Sequence, residues 1–93
     1  MVIGALTVEI HIPDSGSLKD RRRVLRSLKD RYHSKFNVSV AQVDGEDLWQ
    51  RATLAFCVVA ADSRHADSVL ASIREALARE HGIVLIDVVT ELI

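Results

Sequence analysis

From Val2 to Ile12 the chain alternates. Leu6, Val8, Ile10 and Ile12 fall on one side of an extended backbone, and Thr7, Glu9 and His11 fall on the other. A period of two predicts a strand with one buried face. Pro13, Asp14, Ser15 and Gly16 stop it, because proline and glycine suit turn geometry and cannot prolong a ladder. The period then changes. Ser17 fits a helix N-cap with Asp20 as a short capping-box partner. Leu18, Val24, Leu25, Leu28 and Tyr32 share one arc of a helical wheel, so this helix packs on a sheet. Phe36, Val38 and Val40 alternate with Asn37, Ser39 and Ala41 as a second strand. Asp44, Gly45, Glu46 and Asp47 make a polar turn. Trp49 to Ala60 is a third strand with Leu54, Phe56 and Val58 buried, and the two strands read as a hairpin. Asp62 or Ser63 caps a second helix whose apolar face is Ala66, Val69, Leu70, Ile73 and Leu77. Glu75 and Arg79 are spaced for an i,i+4 pair, and Gly82 suits C′. Ile83 to Ile93 is the last strand.

The order β-α-β-β-α-β, with two right-handed crossovers around a hairpin, is that of an α+β ferredoxin-like split fold. Four strands in the order 4-1-3-2 form an antiparallel sheet with both helices on one face. A length of 93 residues allows a single domain, 1–93, with one core. At 48% hydrophobic and 27% charged residues the composition is globular and excludes disorder. The first residues lack a basic n-region and are interrupted by Thr7, Glu9 and His11, which argues against a signal peptide and a membrane span. Cys57 is the only cysteine, so no intrachain disulfide forms and a cytoplasmic location is expected.

Charge changes the picture more than composition does. Residues 17–35 carry eight Lys and Arg against Asp20 and Asp30, a net +6 in a chain whose total is -1, leaving the remainder near -7. At 100° per residue, Lys19, Arg22, Arg26, Lys29 and His33 form a stripe beside the apolar arc, with Arg23 further round towards solvent. Cations aligned on one helix neutralise phosphates in a salt-sensitive way without reading sequence. The run Arg21, Arg22, Arg23 favours that reading over a merely solvated face, because guanidinium forks suit phosphate. Arg21 is the misfit. It falls inside the apolar arc, where it either snorkels past the sheet edge or pairs with an acid.

The sheet face away from the helices is expected to carry Ile3, Ala5, Thr7, Glu9, His11, Arg51, Thr53, Ala55 and Cys57, with Asp87 and Val89 beside them and Trp49 near one end. Base-stacking aromatics are missing from the central strands, and Glu9 repels phosphate, so self-association through Thr7, Glu9, His11, Arg51 and Trp49 is expected there instead of RNA readout. Enzymatic chemistry finds little support. Glu9 and His11 share a face, but no nucleophile or oxyanion hole accompanies them. Cys57 sits mid-strand among Phe56, Val58 and Val59, where a small packed residue is the ordinary reading. His11, His33, His65 and His81 come from four elements without HxxxH or HxH spacing, so neither a metal nor another cofactor is expected. The turn Asp14, Ser15, Gly16, Ser17 and Leu18 resembles the one at which ACT-type regulatory domains bind small metabolites, a glycine before a helix N-terminus able to hold a carboxylate. The usual proline before that glycine is absent. An acylphosphatase-like phosphate cradle is rejected, since the segment has a single glycine in a different order.

The whole chain resembles the YlxP-like family of small bacterial proteins of uncharacterised function. The residues that carry the likeness are MVIGALTVEIHIPDSGSLKDRRRVLRSLKDR, KFNVSVAQVD, DLWQRATLAFCVV and ADSRHADSVL. The resemblance implies a ferredoxin-like fold. It also implies a role near ribosome assembly or translation, because genes of that family often lie beside those of a translation initiation factor and a ribosome-binding factor. It carries over no catalytic residue. The family-typical serine-leucine-lysine followed by basic residues falls on Ser17, Leu18, Lys19, Arg21, Arg22 and Arg23. The expected function is that of a non-enzymatic accessory protein meeting RNA or a ribosomal subunit through its basic first helix, and pairing with a second copy of itself. Two alternatives are an ACT-like metabolite-binding domain at Asp14 to Leu18, and a structural homodimer or adaptor whose protein partner docks on Trp49.

Overall fold

The computed structural model describes residues 1–13, 16–45 and 50–93. Strand β1, Val2–His11, buries Gly4, Leu6, Val8 and Ile10 on one face, and leaves Ile3, Ala5, Thr7, Glu9 and His11 half-buried on the other. Helix α1, Leu18–Phe36, starts at Ser17, whose hydroxyl accepts the Asp20 N–H at 3.1 Å. That is the N-cap read from the sequence. Its buried row is Arg21, Leu25, Leu28 and Tyr32. Leu18, expected in this row, opens the helix and is 40% exposed, and the place one turn before Leu25 belongs to Arg21.

The helix also runs further than expected. Phe36 belongs to α1 and lies against Tyr32, four residues back, with ring centroids 5.5 Å apart. Asn37 ends the helix in the left-handed region at φ 52 and ψ 49, a conformation that asparagine tolerates better than most residues. Strand β2 is therefore Ser39–Asp44 and does not begin at Phe36. The expected inward set still packs, with Val38 buried and Val40 and Phe36 against the core.

Strand β3, Arg51–Ala60, buries Ala52, Leu54, Phe56, Val58 and Ala60. Its expected start at Trp49 lies outside the described residues. Gly45, just past β2, has φ +83, and a Cβ there would stand 3.0 Å from Ala52 Cα and 3.1 Å from the Arg51 carbonyl. Both the dihedral and the space require glycine at this turn. Helix α2, Ser63–Ala78, is capped by Asp62, which accepts from the His65 N–H at 2.8 Å. It buries Ala66, Leu70, Ile73 and Leu77. Its cap is Arg79, whose N–H donates to the Ala76 carbonyl while the Glu80 N–H donates to that of Leu77, so Gly82 (φ 86) turns the chain into the last strand and is not C′. Arg79 forms no ion pair with Glu75; among the described residues the ion pairs are Arg31–Glu80 and Arg51–Glu9. Strand β4 is Val84–Leu92.

The sheet order β2-β3-β1-β4, all antiparallel, is the expected 4-1-3-2 read from the other edge. Both helices pack on the face that carries Leu6, Val8, Ile10, Leu54 and Phe56, the most deeply buried part of the core. This is the ferredoxin-like split βαββαβ arrangement. Among the described residues no element packs on the opposite face.

Candidate nucleic-acid interface

Lys19, Arg22 and Arg26 are exposed on α1 and Lys29 is half-buried. From Lys19 to Lys29 there are ten rises of about 1.5 Å, about 15 Å of helix. On the wheel they step outward from the buried row along one flank of α1. The opposite flank carries Val24, Ser27, Arg31 and Lys35, which line clefts against Ala76, Glu80 and His81 at the end of α2. None of the four stripe cations takes part in an ion pair among the described residues. Arg23 stands apart, exposed on the outer ridge and lining the cleft with Ser27, Arg31 and His81. His33, expected to continue the stripe, is spent on local structure: its Nδ1–H donates to the Val38 carbonyl at 2.7 Å and holds the turn into β2.

Arg21 leaves the surface altogether. Only 2% exposed, it donates from Nη2 to the Gly45 carbonyl and from Nε to the Arg51 carbonyl at 3.4 Å. Neither expected alternative is taken among the described residues. The guanidinium does not snorkel out, and its partners there are backbone carbonyls at the two ends of the β2–β3 connection. Arg51 then turns its own side chain to the bare face, where it pairs with Glu9 diagonally across the β1–β3 ladder.

A second polar cluster, which sequence reading missed, joins the helices. Glu80 accepts from Arg31 at 2.6 Å through Oε1 and from the Tyr32 hydroxyl at 2.7 Å through Oε2. Arg31 Nε is held by Ser27 Oγ at 3.1 Å, and its guanidinium lies over the Tyr32 ring. Burial foremost, then the hydrogen bond to Glu80, pushes the Tyr32 hydroxyl well above its ordinary value. Burial also pushes the Glu80 carboxyl up, but the hydrogen bonds from Arg31 and Tyr32 and the charges of Arg31 and His81 outweigh it and hold Glu80 low. Only the i,i+4 spacing of Ser27 and Arg31 was visible in sequence; the Glu80 partner is 48 residues from Tyr32. The cluster borders a cleft of about 760 Å³ lined also by Lys35, Ala76 and Arg79.

The Glu80 cluster predicts a pH dependence. A carboxyl lowered by folding contributes stability that is complete above its ordinary value of 4.5 and is lost as pH falls through the folded value. Glu80→Gln removes that contribution. Urea midpoints measured below pH 4.5 should therefore fall more steeply for the wild type than for Glu80→Gln. Parallel curves would refute the assignment.

The other residues singled out by the sequence fall in two places. At the turn before α1, Asp14 and Ser15 lie outside the described residues. Gly16 is exposed without a positive φ, and the Asp20 amide that a bound carboxylate could use is taken by Ser17. Thr7, Glu9, His11 and Arg51 do share the bare sheet face, whereas Trp49 is outside the described residues. There Glu9 pairs with Arg51 and not with His11. Among the described residues no three His, Cys, Asp or Glu side chains form a metal-binding group, and no helix is long and apolar enough to cross a membrane.

Fold and surface together define a small split βαββαβ protein with a basic outer helix and one open sheet face. Residues 3–90 match the family model described as "Protein of unknown function (DUF503)", and the chain belongs to that family. It is also 40% identical over 58 residues to "Uncharacterized protein YlxP" of Bacillus subtilis (strain 168). That match covers 62% of this chain and 63% of the relative, and it agrees with the YlxP-like resemblance of the sequence.

Proposed function

We propose that the protein is a non-enzymatic, cytoplasmic RNA-contacting accessory protein, acting in ribosome assembly or translation. It meets phosphates through Lys19, Arg22, Arg26 and Lys29, with Arg23 beside them. The observation that carries this reading is the stripe: four cations in register on one flank of a capped 19-residue helix, with no carboxylate among the described residues drawing them off. A rigid helix holds their spacing, so several phosphates are neutralised together and counterions are released together. The acidic excess of the chain lies outside residues 17–35, which orients the molecule towards a polyanion. Arg21 is excluded from this surface by its burial.

The test is co-sedimentation with ribosomal subunits at two salt concentrations, comparing wild type with the triple variant Arg22→Glu, Arg26→Glu and Lys29→Glu. For four or five phosphate contacts, affinity should fall on the order of 10²-fold as salt rises from about 50 to about 200 mM. The variant, whose buried row is unchanged, should fold normally and fail to bind. Wild type that does not sediment with subunits at low salt, or a variant that binds equally well, defeats the proposal.

A further inference from the structure

We infer that the RNA met by α1 is double-stranded and is held from both flanks of the helix. One strand runs along the stripe, and the other meets Lys35 and Arg79 at the cleft between α1 and α2. This rests on the RNA contact proposed above and adds to it the class of RNA and a second row of contacts. Lys19, Arg22, Arg26 and Lys29 occupy one flank of α1, and Arg31 and Lys35 occupy the other. With Arg79 at the end of α2, Arg31 and Lys35 line a cleft of about 760 Å³. Glu80 neutralises Arg31 there. Lys35 and Arg79 are exposed and take part in no ion pair among the described residues. The Lys35 ammonium lies 5.4 Å from the centre of the Phe36 ring, at the lip of the cleft. Two uncommitted cations thus stand beside a space of the size that small ligand groups fill.

Two features select a duplex. The first is the shape of the charged surface. Seen end on, α1 is a ridge about 10–12 Å across, with cations along either side. A single strand would follow one row and leave the other idle, whereas a duplex presents two rows of phosphates with a groove between them. In A-form RNA the groove that admits such a ridge is the minor one, wide and shallow, because the major groove is deep and narrow. The crest of the ridge carries Arg23, Asp30 and Ser34. Asp30 would repel a phosphate, but in this groove it meets 2′-hydroxyls, which donate to a carboxylate or a serine oxygen. The second feature is stacking. Unpaired RNA is recognised by aromatic rings laid against its bases. Tyr32 and Phe56 are 3% and 0% exposed, and Phe36 packs against the core. The open sheet face carries no aromatic side chain among the described residues, and it sets Glu9, Asp44, Asp87 and Glu91 against Arg51. It is therefore not the stacking platform that RNA-recognition domains make of such a sheet. Phosphates and groove shape remain to be read, and together they belong to a duplex.

Fluorescence anisotropy tests it with a labelled oligouridine of about 16 nucleotides, alone and annealed to oligoadenine, over a range of salt concentrations. Wild type should bind the duplex at least about 10-fold more tightly than the single strand. The variant carrying Lys35→Gln and Arg79→Gln should fold normally, because both side chains are exposed and Arg79 caps α2 through its backbone. Circular dichroism would register this. In that variant the slope of log affinity against log salt should fall by about 2 for the duplex, roughly 1 for each phosphate contact removed. Its binding of oligouridine, which follows the stripe alone, should be unchanged. The triple glutamate variant of α1 should lose both RNAs. Wild type that binds oligouridine as tightly as the duplex overturns the duplex inference and leaves the RNA contact standing. A duplex slope that the two glutamines leave unchanged overturns the second row at the cleft. Wild type that binds neither RNA at low salt overturns the inference together with the RNA contact on which it rests.

Discussion

Replacing Arg21 with methionine should lower stability by about 3 kcal/mol, the cost of leaving buried carbonyls without a donor together with the loss of two charge-assisted bonds. On a domain of this size that shifts Tm down by roughly 15 °C. Methionine fills much of the volume and keeps helix propensity, so the loss reports the guanidinium and not a cavity. The two acceptors, Gly45 and Arg51, stand at either end of the β2–β3 connection, and Arg21 closes it against α1. Arg21→Lys should recover only part of the loss, because one ammonium on a flexible stem does not reproduce a planar fork aimed at two carbonyls. Urea unfolding of the three proteins measures this. RNA affinity per folded molecule, and its salt slope, should be unchanged in Arg21→Lys. A loss below about 1 kcal/mol in Arg21→Met would mean that the buried bonds are satisfied in some other way.

This residue also marks how far the sequence could be read. The helical wheel placed Arg21 among apolar neighbours, which was right, and so flagged it as abnormal. Its partners were illegible because they are backbone carbonyls, 24 and 30 residues away, and every residue has one. The Tyr32–Glu80–Arg31 cluster escaped for a related reason: one carboxylate among thirteen in the chain has no local pattern announcing that it will cross to another helix. The strand order and the exposed side of β1 were legible, since a period of two fixes which residues face together. At Phe36 two periods collided. Phe36, Val38 and Val40 alternate like a strand, while Tyr32 and Phe36 are spaced like a helix, and the helical contact prevails until Asn37. Asparagine in the left-handed region was the available stop signal. On the functional side, the stripe was readable as charge on a wheel, but only the structure separates Arg21 and His33, which hold turns, from Lys19, Arg22, Arg26 and Lys29, which hold nothing in the described fold.

Gly4→Val should destabilise the protein by about 2 kcal/mol, although valine is the better strand residue, because this site sits under α2. A Cβ on Gly4 would stand 3.0 Å from Leu70 Cδ1, 3.2 Å from Val58 Cγ1 and 3.3 Å from Ala66 Cβ. Three neighbours crowd one atom, and they differ in how easily they yield. Leu70 can move its side chain, whereas Ala66 can give way only if α2 lifts off the sheet. Gly4→Ala is therefore the finer probe. It recovers roughly 0.5–1 kcal/mol of backbone entropy while asking its neighbours for a few tenths of an ångström, and should come out close to neutral. The decisive comparison is Gly4→Val with Leu70→Ala. Each alone should cost stability, one by overpacking and the other by leaving a cavity of about the size the new methyls need. Together they should lose less than the two losses added, by about 1 kcal/mol or more. Strict additivity in urea unfolding would show that α2 accommodates the valine by shifting as a body. The spacing of α2 over the central strands would then be set by the rest of its apolar face and not by the glycine.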